Sequence, residues 1–368
     1  MRVEFGAAGW DRVAPPVRGE VVVADLETRR LALRQAGLCA GNAGKSFHWR
    51  GLQPVLFKMD STLRGNYLAE SKSLHKALRT RLTWLVPANP GQGRWTVEGR
   101  VFVDGSPLEG TAFAADPLHP VESGRVGGRK SVNLRMDEVT AGPVRSRAAA
   151  LGTFLVSADA MDGGDLLRIA GMVGRRDMVF GASPIAGFLL GRPPRQGRLK
   201  VPLQGKWLGI IGSLNPHTQA QVKALEKIPG VRVSWMRPRH LAGGRLPEAP
   251  RGVQAWFLAL EQSSFRNRLK AGNSLALGNR MAARLGDIAA ACAGVFRPSG
   301  LLLSGGLTAI GVCEKAGIRG LLLSDEIMPG LVLSRAVWNG PALAIITKPG
   351  GFGAEDALVK TIKMVRRA

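Results

Sequence analysis

Between Lys58 and Asn66 the chain reads KMDSTLRGN, which sets Lys58, Asp60, Ser61, Thr62, Arg64 and Asn66 at the end of an apolar run, VLFKMD. Aspartate and arginine are seldom interior unless paired, so this density of hydrogen-bonding groups marks a binding cleft better than a core. DLETR at 25–29 and QGR at 92–94 add Asp25, Arg29 and Arg94. Guanidinium groups hold carboxylates and phosphates through paired hydrogen bonds, so Arg29, Arg64 and Arg94 together could grip such an anion. The plainer alternative is an Asp60–Arg64 ion pair that caps the following helix.

A second set of residues is glycine-rich rather than charged. IGSLNPHT at 211–218, SGGLTA at 304–309 and TKPGGFG at 347–353 each end an apolar strand in a small-residue turn that opens a helix. In open α/β sheets ligands bind at such carboxyl ends, where glycine lets backbone amides approach a phosphate and the helix N-terminus favours an anion. One such turn alone is ordinary loop chemistry. Three in one half of the chain predict a nucleotide-phosphate site.

Other suggestive strings lack what their chemistry requires. GNAGKS at 41–46 imitates the end of a Walker A loop, but the required first glycine falls at Cys39, so a plain loop is expected there. The five histidines, His48, His75, His119, His217 and His240, show no metal-ligand spacing, and no GxSxG elbow is present. Cys39, Cys292 and Cys313 read as buried filler rather than nucleophiles.

These residues need elements to hold them. At 368 residues the chain exceeds one compact core, and two domains with an active cleft between them are expected. GRPPRQGRLK at 191–200 predicts the linker, separating a domain of residues 1–190 from one of residues 201–368. In the first, VVVAD at 21–25 and VLFKMD at 55–60 read as strands, with helical spacing over Thr28 to Gly37 and Leu68 to Leu78. That rhythm predicts a mostly parallel sheet flanked by helices. Residues 86–120 break it, with GRVFVDG as a hairpin. In the second domain strands are expected at 207–212, 300–305, 319–324 and 342–347, with helices after the glycine turns, while 240–290 read as helical or irregular. The fold class is therefore α/β in both domains.

Composition narrows the function. Apolar residues at 45% and charged residues at 21% exclude a disordered chain. No window offers eighteen apolar residues, and Glu4 and Asp11 spoil a secretory start, so neither membrane insertion nor export is expected. Three scattered cysteines fit a reducing cytoplasm. The net charge of +24 comes from 37 Arg and 14 Lys that are scattered, with short basic runs and no interleaved aromatics. A GC-rich genome accounts for that profile, and a nucleic-acid partner is not expected. Oligomeric state is left open, a homo-oligomer included.

Taken in order, KMDSTLRGN, the stretch from NPGQGRWTVEGRVFVDG to DPLHP, IGSLNPHTQAQ, SGGLTA and TKPGGFG resemble the four-carbon acid sugar kinases, from about Val21 to the end. The resemblance implies an acid-sugar domain followed by a nucleotide domain, and ATP-dependent phosphorylation of a threonate- or erythronate-type acid with Mg²⁺. Carried over, ATP meets Ser213, Gly305, Gly306, Leu307, Thr308 and Gly350. The acid sugar meets Asp60, Ser61 and Arg64, with Asp25, Arg29 and Arg94 nearby. Family members open on a strand ending in an ADDLTGA-like motif, whereas the first matched strand here, VVVAD, resembles their second. The reading is thus of an N-terminally shortened chain that lacks the family's first strand. The family's GGDT is GGLT here, with Leu307 in place of a carboxylate. Asp60, the best-placed carboxylate remaining, is the candidate general base or substrate orienter. The alternative is a catalytically inactive nucleotide-binding member of the family.

Overall fold

A computed structural model describes every residue except 1, 6–20, 50, 52–53, 112, 115–119, 192–200, 202, 244–245, 266–273, 329, 351–352 and 368. The chain forms two compact units. One is built chiefly from Leu26–Arg195; the other joins Gln196–Ala368 to Met1–Phe5 and Pro16–Asp25. Of the expected linker at 191–200, only Gly191 lies among the described residues.

Strand β1 (Arg2–Phe5) runs parallel to β2 (Val22–Asp25). Both belong to the sheet of the C-terminal unit, which corrects the placement of VVVAD in the first domain. An apolar run announces burial but not which sheet it joins. β1 precedes VVVAD in the chain.

The N-terminal unit carries β3 (Phe57–Lys58), β4 (Thr83–Val86), an antiparallel meander of β5 (Arg94–Val97), β6 (Arg100–Val103) and β7 (Ser106–Pro107), then β8 (Val132–Leu134), β9 (Leu155–Ala158) and β10 (Met178–Gly181). Its sheet runs β3-β10-β4-β9-β8 with every pairing parallel. Strands of a covered parallel sheet are apolar on both faces, and every residue of β4, β9 and β10 is buried. The GNAGKS string is helical, not a loop: it lies within the helix Leu33–Trp49. Its glycines serve packing. A Cβ on Gly44 would come within 2.9 Å of Ala77 and of Leu74 on the helix Tyr67–Leu78, and Gly37 and Gly41 face Ser73 of the same helix.

The C-terminal unit adds β11 (Trp207–Ile211), β12 (Val231–Met236), β13 (Ala255–Leu260), β14 (Gly300–Ser304), β15 (Gly320–Met328), β16 (Leu331–Val337) and β17 (Ala344–Lys348). The described strands form a nine-stranded sheet ordered β12-β13-β11-β14-β17-β16-β15-β1-β2. Its first five strands are parallel, while β15 and β16 run antiparallel to their neighbours. Three of these strands, β12, β13 and β16, lie outside those expected from sequence. β13 falls inside the stretch expected to be helical or irregular, although AWFLAL is an uninterrupted apolar run and all six residues are buried. β12 was hidden because VRVSWM mixes charge with apolar residues. Leu208, Ile210, Trp256 and Leu258 pack on one face against Met281, Leu285 and Val312. Ile211, Phe257, Leu302 and Ile346 pack on the other against Val222, Leu358 and Ile362. No described helix is long and apolar enough to cross a membrane.

Candidate functional site

Strands β11, β14 and β17 are adjacent and parallel, so their carboxyl ends emerge side by side. The three glycine turns predicted from sequence therefore meet. The Gly212 amide donates to the Ser304 carbonyl at 3.1 Å, and the Gly305 amide donates to the Lys348 carbonyl at 3.0 Å. A Cβ on Gly350 would come within 2.5 Å of Ser213 Oγ, and one on Gly305 within 3.6 Å of the Ser213 amide. Ser213, Gly305 and Gly350 thus lie close together, at the ends of strands where α/β proteins bind ligands.

Gly305 caps the helix Gly306–Lys315 with φ 103°, a conformation that only glycine adopts without strain. Gly306 has no positive φ. Its Cβ would meet nothing within 4 Å. Thr308 is buried, with its hydroxyl turned toward the backbone of Gly212 and Gly305 rather than outward. Leu307 leans on Gly278 of the helix Ser274–Phe296, leaving its backbone as the part available to a ligand.

Side chains tie this turn from within. Thr218 Oγ1 donates to the Gly350 carbonyl and accepts from Ser213 Oγ at 3.2 Å. His217 Nε2 meets the Gly353 carbonyl, and Gln221 Nε2 donates to the carbonyls of Gly353 and Ala354 at 3.1 and 2.8 Å. Lys348 donates from Nζ to the carbonyls of Pro349 and Gly350 at 3.0 and 3.2 Å. It is only 2% exposed, and burial pulls its ammonium down to about 8. Sequence reading overlooked Lys348. The available signal was a lysine closing the otherwise apolar strand AIITK.

The N-terminal unit gathers the charged residues at the carboxyl end of β3. Asp60 Oδ1 accepts from the Thr62 amide at 2.8 Å and from its hydroxyl, an Asx turn that reverses the chain out of the strand. Oδ2 accepts from Arg64 at 3.0 Å and from Arg29 at 3.3 Å. Burial alone would raise the Asp60 carboxyl. The Thr62 hydrogen bonds and the guanidinium groups of Arg64 and Arg29 outweigh it and hold the group below its ordinary value. The turn itself is special: Leu63 and Gly65 have φ 57° and 110°. Asn66 Nδ2 donates to the carbonyls of Thr28 and Leu31 at 3.2 and 2.8 Å, which fixes the short turn that carries Arg29.

Arg94 donates to Ser61 Oγ at 3.2 Å and to Gln92. Phe113 stands between two of the arginines, its ring centroid 5.3 Å from the Arg64 guanidinium carbon and 5.2 Å from that of Arg94. The structure thus brings together Arg29, Asp60, Ser61, Arg64 and Arg94. Asp25 ends β2, in the other unit. The Asp60–Arg64 ion pair raised as the plainer alternative does form, yet Arg29, Arg94 and Ser61 around it exceed what a helix cap requires. Sequence reading missed Phe113 and Gln92, which carry no local signature of their role.

Among the discarded candidates, Cys292 and Cys313 are buried, and burial lifts their thiols to about 11 and 12, far from nucleophilic.

Comparison with known proteins supplies the frame for these two sites. A family model described as a sugar-binding N-terminal domain matches residues 6–189, and one described as a nucleotide-binding C-terminal domain matches 208–358. A D-threonate kinase of Cupriavidus necator is 30% identical over 93% of this chain and 86% of that protein. This chain belongs to the four-carbon acid sugar kinase family. A D-threonate kinase of Salmonella typhimurium is 28% identical, covering 94% of this chain and 88% of its own. A D-erythronate kinase of Heliobacterium modesticaldum is also 28% identical, covering 92% and 86%. Among solved structures, a Haemophilus influenzae protein superposes with a TM-score of 0.70 at 18% identity over 94% of this chain and 90% of its own, a likeness of fold. In this chain, the arginine cluster falls in the part matched as sugar-binding and the glycine turns in the part matched as nucleotide-binding.

Proposed function

We propose that this protein is a kinase that transfers the γ-phosphoryl group of ATP to a hydroxyl of a four-carbon sugar acid. The observation that carries the reading is the meeting of Ser213, Gly305 and Gly350 at three adjacent strand ends, which builds a phosphate cradle from main chain and one hydroxyl. The names of its relatives support the substrate class.

ATP is held by the Ser213 hydroxyl, the backbone of Gly305, Gly306 and Leu307, the buried Thr308 beneath them, and Gly350. The acid's carboxylate pairs with Arg64, flanked by Arg29, Arg94 and Ser61. Asp60 acts as an orienter rather than a base: both of its oxygens are engaged, and a carboxyl held below its ordinary value is a weak proton acceptor. Phosphoryl transfer through a loose transition state depends more on alignment and charge neutralisation than on proton removal. The substrate oxygen attacks the γ-phosphorus, the bond to the β–γ bridging oxygen breaks, and ADP leaves while the hydroxyl proton passes to solvent.

Among the described residues no group of three or more His, Cys, Asp or Glu side chains is placed to hold a metal ion. Magnesium therefore enters as the counter-ion brought by the phosphates, as is usual for a cation that keeps most of its waters, and no step is assigned to it.

A coupled assay of ADP release against the stereoisomers of threonate and erythronate tests the proposal. Turnover with one isomer is the expected result. ATP binding without turnover on any of them would leave a nucleotide-binding protein and remove the kinase.

A further inference from the structure

Lys348 is a buried cation with no carboxylate partner among the described residues, where its ammonium donates to two main-chain carbonyls of the turn that follows it. Removing an ammonium group from water costs free energy unless something else needs the charge there. Lys348 also stands in register with Ser304 on the neighbouring strand, so the two side chains share the sheet face covered by the helices Pro216–Leu225 and Ala357–Arg367. Ser304 Oγ is fully buried and has no hydrogen-bond partner among the described residues. Two polar groups thus lie beneath the cradle, and packing explains neither.

The carbonyls of Pro349, Gly350, Gly353 and Ala354 are all drawn inward by Lys348, Thr218, His217 and Gln221. Across a planar trans peptide the C=O and the following N–H point in opposite directions, and no cis peptide is present among the described residues. With the Pro349 carbonyl held inward, the Gly350 N–H is aimed outward, beside Ser213.

We propose that Lys348 is a positioning residue of the nucleotide cradle, pinning the carbonyls of Pro349 and Gly350 inward so that the Gly350 amide faces a phosphate, and setting a positive charge directly below it. This rests on the nucleotide reading of the same site. It explains why the turn tolerates a buried lysine, and it makes the cradle a two-layer device of outward amides over an inward cation. Burial favours the uncharged amine, so the empty protein holds this charge at a cost in stability that a bound polyanion offsets.

The test is calorimetric titration of ATP into wild type, Lys348→Met, Thr218→Val and Gly305→Val between pH 7.5 and 9, with melting temperatures alongside. Lys348→Met should weaken ATP by about tenfold or more. Wild-type affinity should fall as Lys348 loses its proton toward pH 9, whereas the Lys348→Met profile stays flat. The neighbouring elements also carry His217, Lys223, Arg335, Glu355, Asp356, Lys360 and Lys363. Lys348→Met retains all of them, so the difference between the two profiles isolates Lys348. Lys348→Met should melt no lower than wild type at pH 7.5, and Thr218→Val, which removes the second donor to Gly350, should weaken ATP by a smaller factor. Equal ATP affinity in Lys348→Met and wild type, or parallel pH profiles, overturns the inference. Should Lys348→Met not fold, a flat wild-type profile together with unchanged affinity in Thr218→Val overturns it equally. Absence of ATP binding by wild type, or full binding by Gly305→Val, brings down the nucleotide reading itself and this inference with it.

Discussion

In the cradle proposed for the C-terminal unit the groups offered to an anion are main-chain amides and the Ser213 hydroxyl, and the buried side chains around them aim the main chain. In the N-terminal unit the groups offered are guanidinium tips, and Asp60 and Phe113 aim those. A main-chain cradle is set when the fold forms, so it is sensitive to backbone conformation and indifferent to many side chains, which is why Leu307 can lean away on Gly278. An arginine cluster is sensitive to the chemistry of each tip. Every arginine carries about 2 kcal/mol of rotamer entropy. Holding Arg64 against both Asp60 and Phe113 removes much of that freedom before a ligand arrives.

The comparison predicts that the two sites fail separately, and the largest effect should come from a guanidinium tip. Arg64→Ala removes the proposed carboxylate partner and also strips Asp60 of its nearer cation. Losing one side of a desolvated charge pair costs about 3–4 kcal/mol, or roughly 100- to 1,000-fold in kcat/KM for the sugar acid. ATP affinity should not change. Arg64→Lys should recover little, because an ammonium cannot replace a planar fork. A parallel loss of ATP affinity in Arg64→Ala would show that the two sites are not distinct.

In the cradle the corresponding change is one of backbone. Gly305→Val places a β-branched residue at φ 103°, with its Cβ 3.3 Å from Thr308 Oγ1. The strain costs about 1–3 kcal/mol. The melting temperature should fall, and ATP should weaken by about 100-fold as the turn deforms, both measurable by calorimetry. An unchanged KM for the sugar acid at saturating ATP would sharpen the contrast.

Asp60 offers a milder test in which shape is kept and charge is lost. Asp60→Asn should lower kcat/KM by about tenfold by freeing Arg29 and Arg64. Because the folded carboxyl sits below its ordinary value, its stabilising contribution is present above that value and is lost as pH falls through the folded one. The melting gap between wild type and Asp60→Asn should hold steady from neutrality to about pH 5 and close below about pH 4. A gap that closes instead near neutrality would mean that Asp60 titrates high, and the base reading would return.

How far each region could be read from sequence follows the same division. Glycine turns after apolar strands are local signatures, so the cradle was legible in IGSLNPHT, SGGLTA and TKPGGFG. What could not be read was which glycine bears the positive φ, since that depends on how the helix is capped: Gly305 does and Gly306 does not. The arginine cluster was legible at Asp60 and Arg64, which are close in the chain. It stayed open at Phe113, whose role comes from packing between residues far from it in sequence. VVVAD was placed in the wrong unit for a related reason, because sheet membership is a long-range pairing that an apolar run does not specify. The glycines of GNAGKS misled because a flexible loop and a close helix crossing select the same residue.

The smallest expected effect separates strain from ligand approach within the cradle itself. Gly306 opens its helix without a positive φ, and a Cβ there meets nothing within 4 Å, so Gly306→Val should leave the melting temperature close to that of wild type. Valine is tolerated in the first turn of a helix at a few tenths of a kcal/mol, and leaving glycine offsets part of that. If phosphate approaches the Gly306 amide at hydrogen-bond distance, however, the branched side chain stands in the way, and ATP should weaken by about tenfold, the worth of one hydrogen bond to a charged group. Gly305→Val should therefore lose both stability and affinity, and Gly306→Val affinity alone. Titration of the two variants beside their melting curves reads both quantities. Equal ATP affinity in Gly306→Val and wild type would place the phosphates away from this helix N-terminus and reduce the cradle to Ser213 and Gly350.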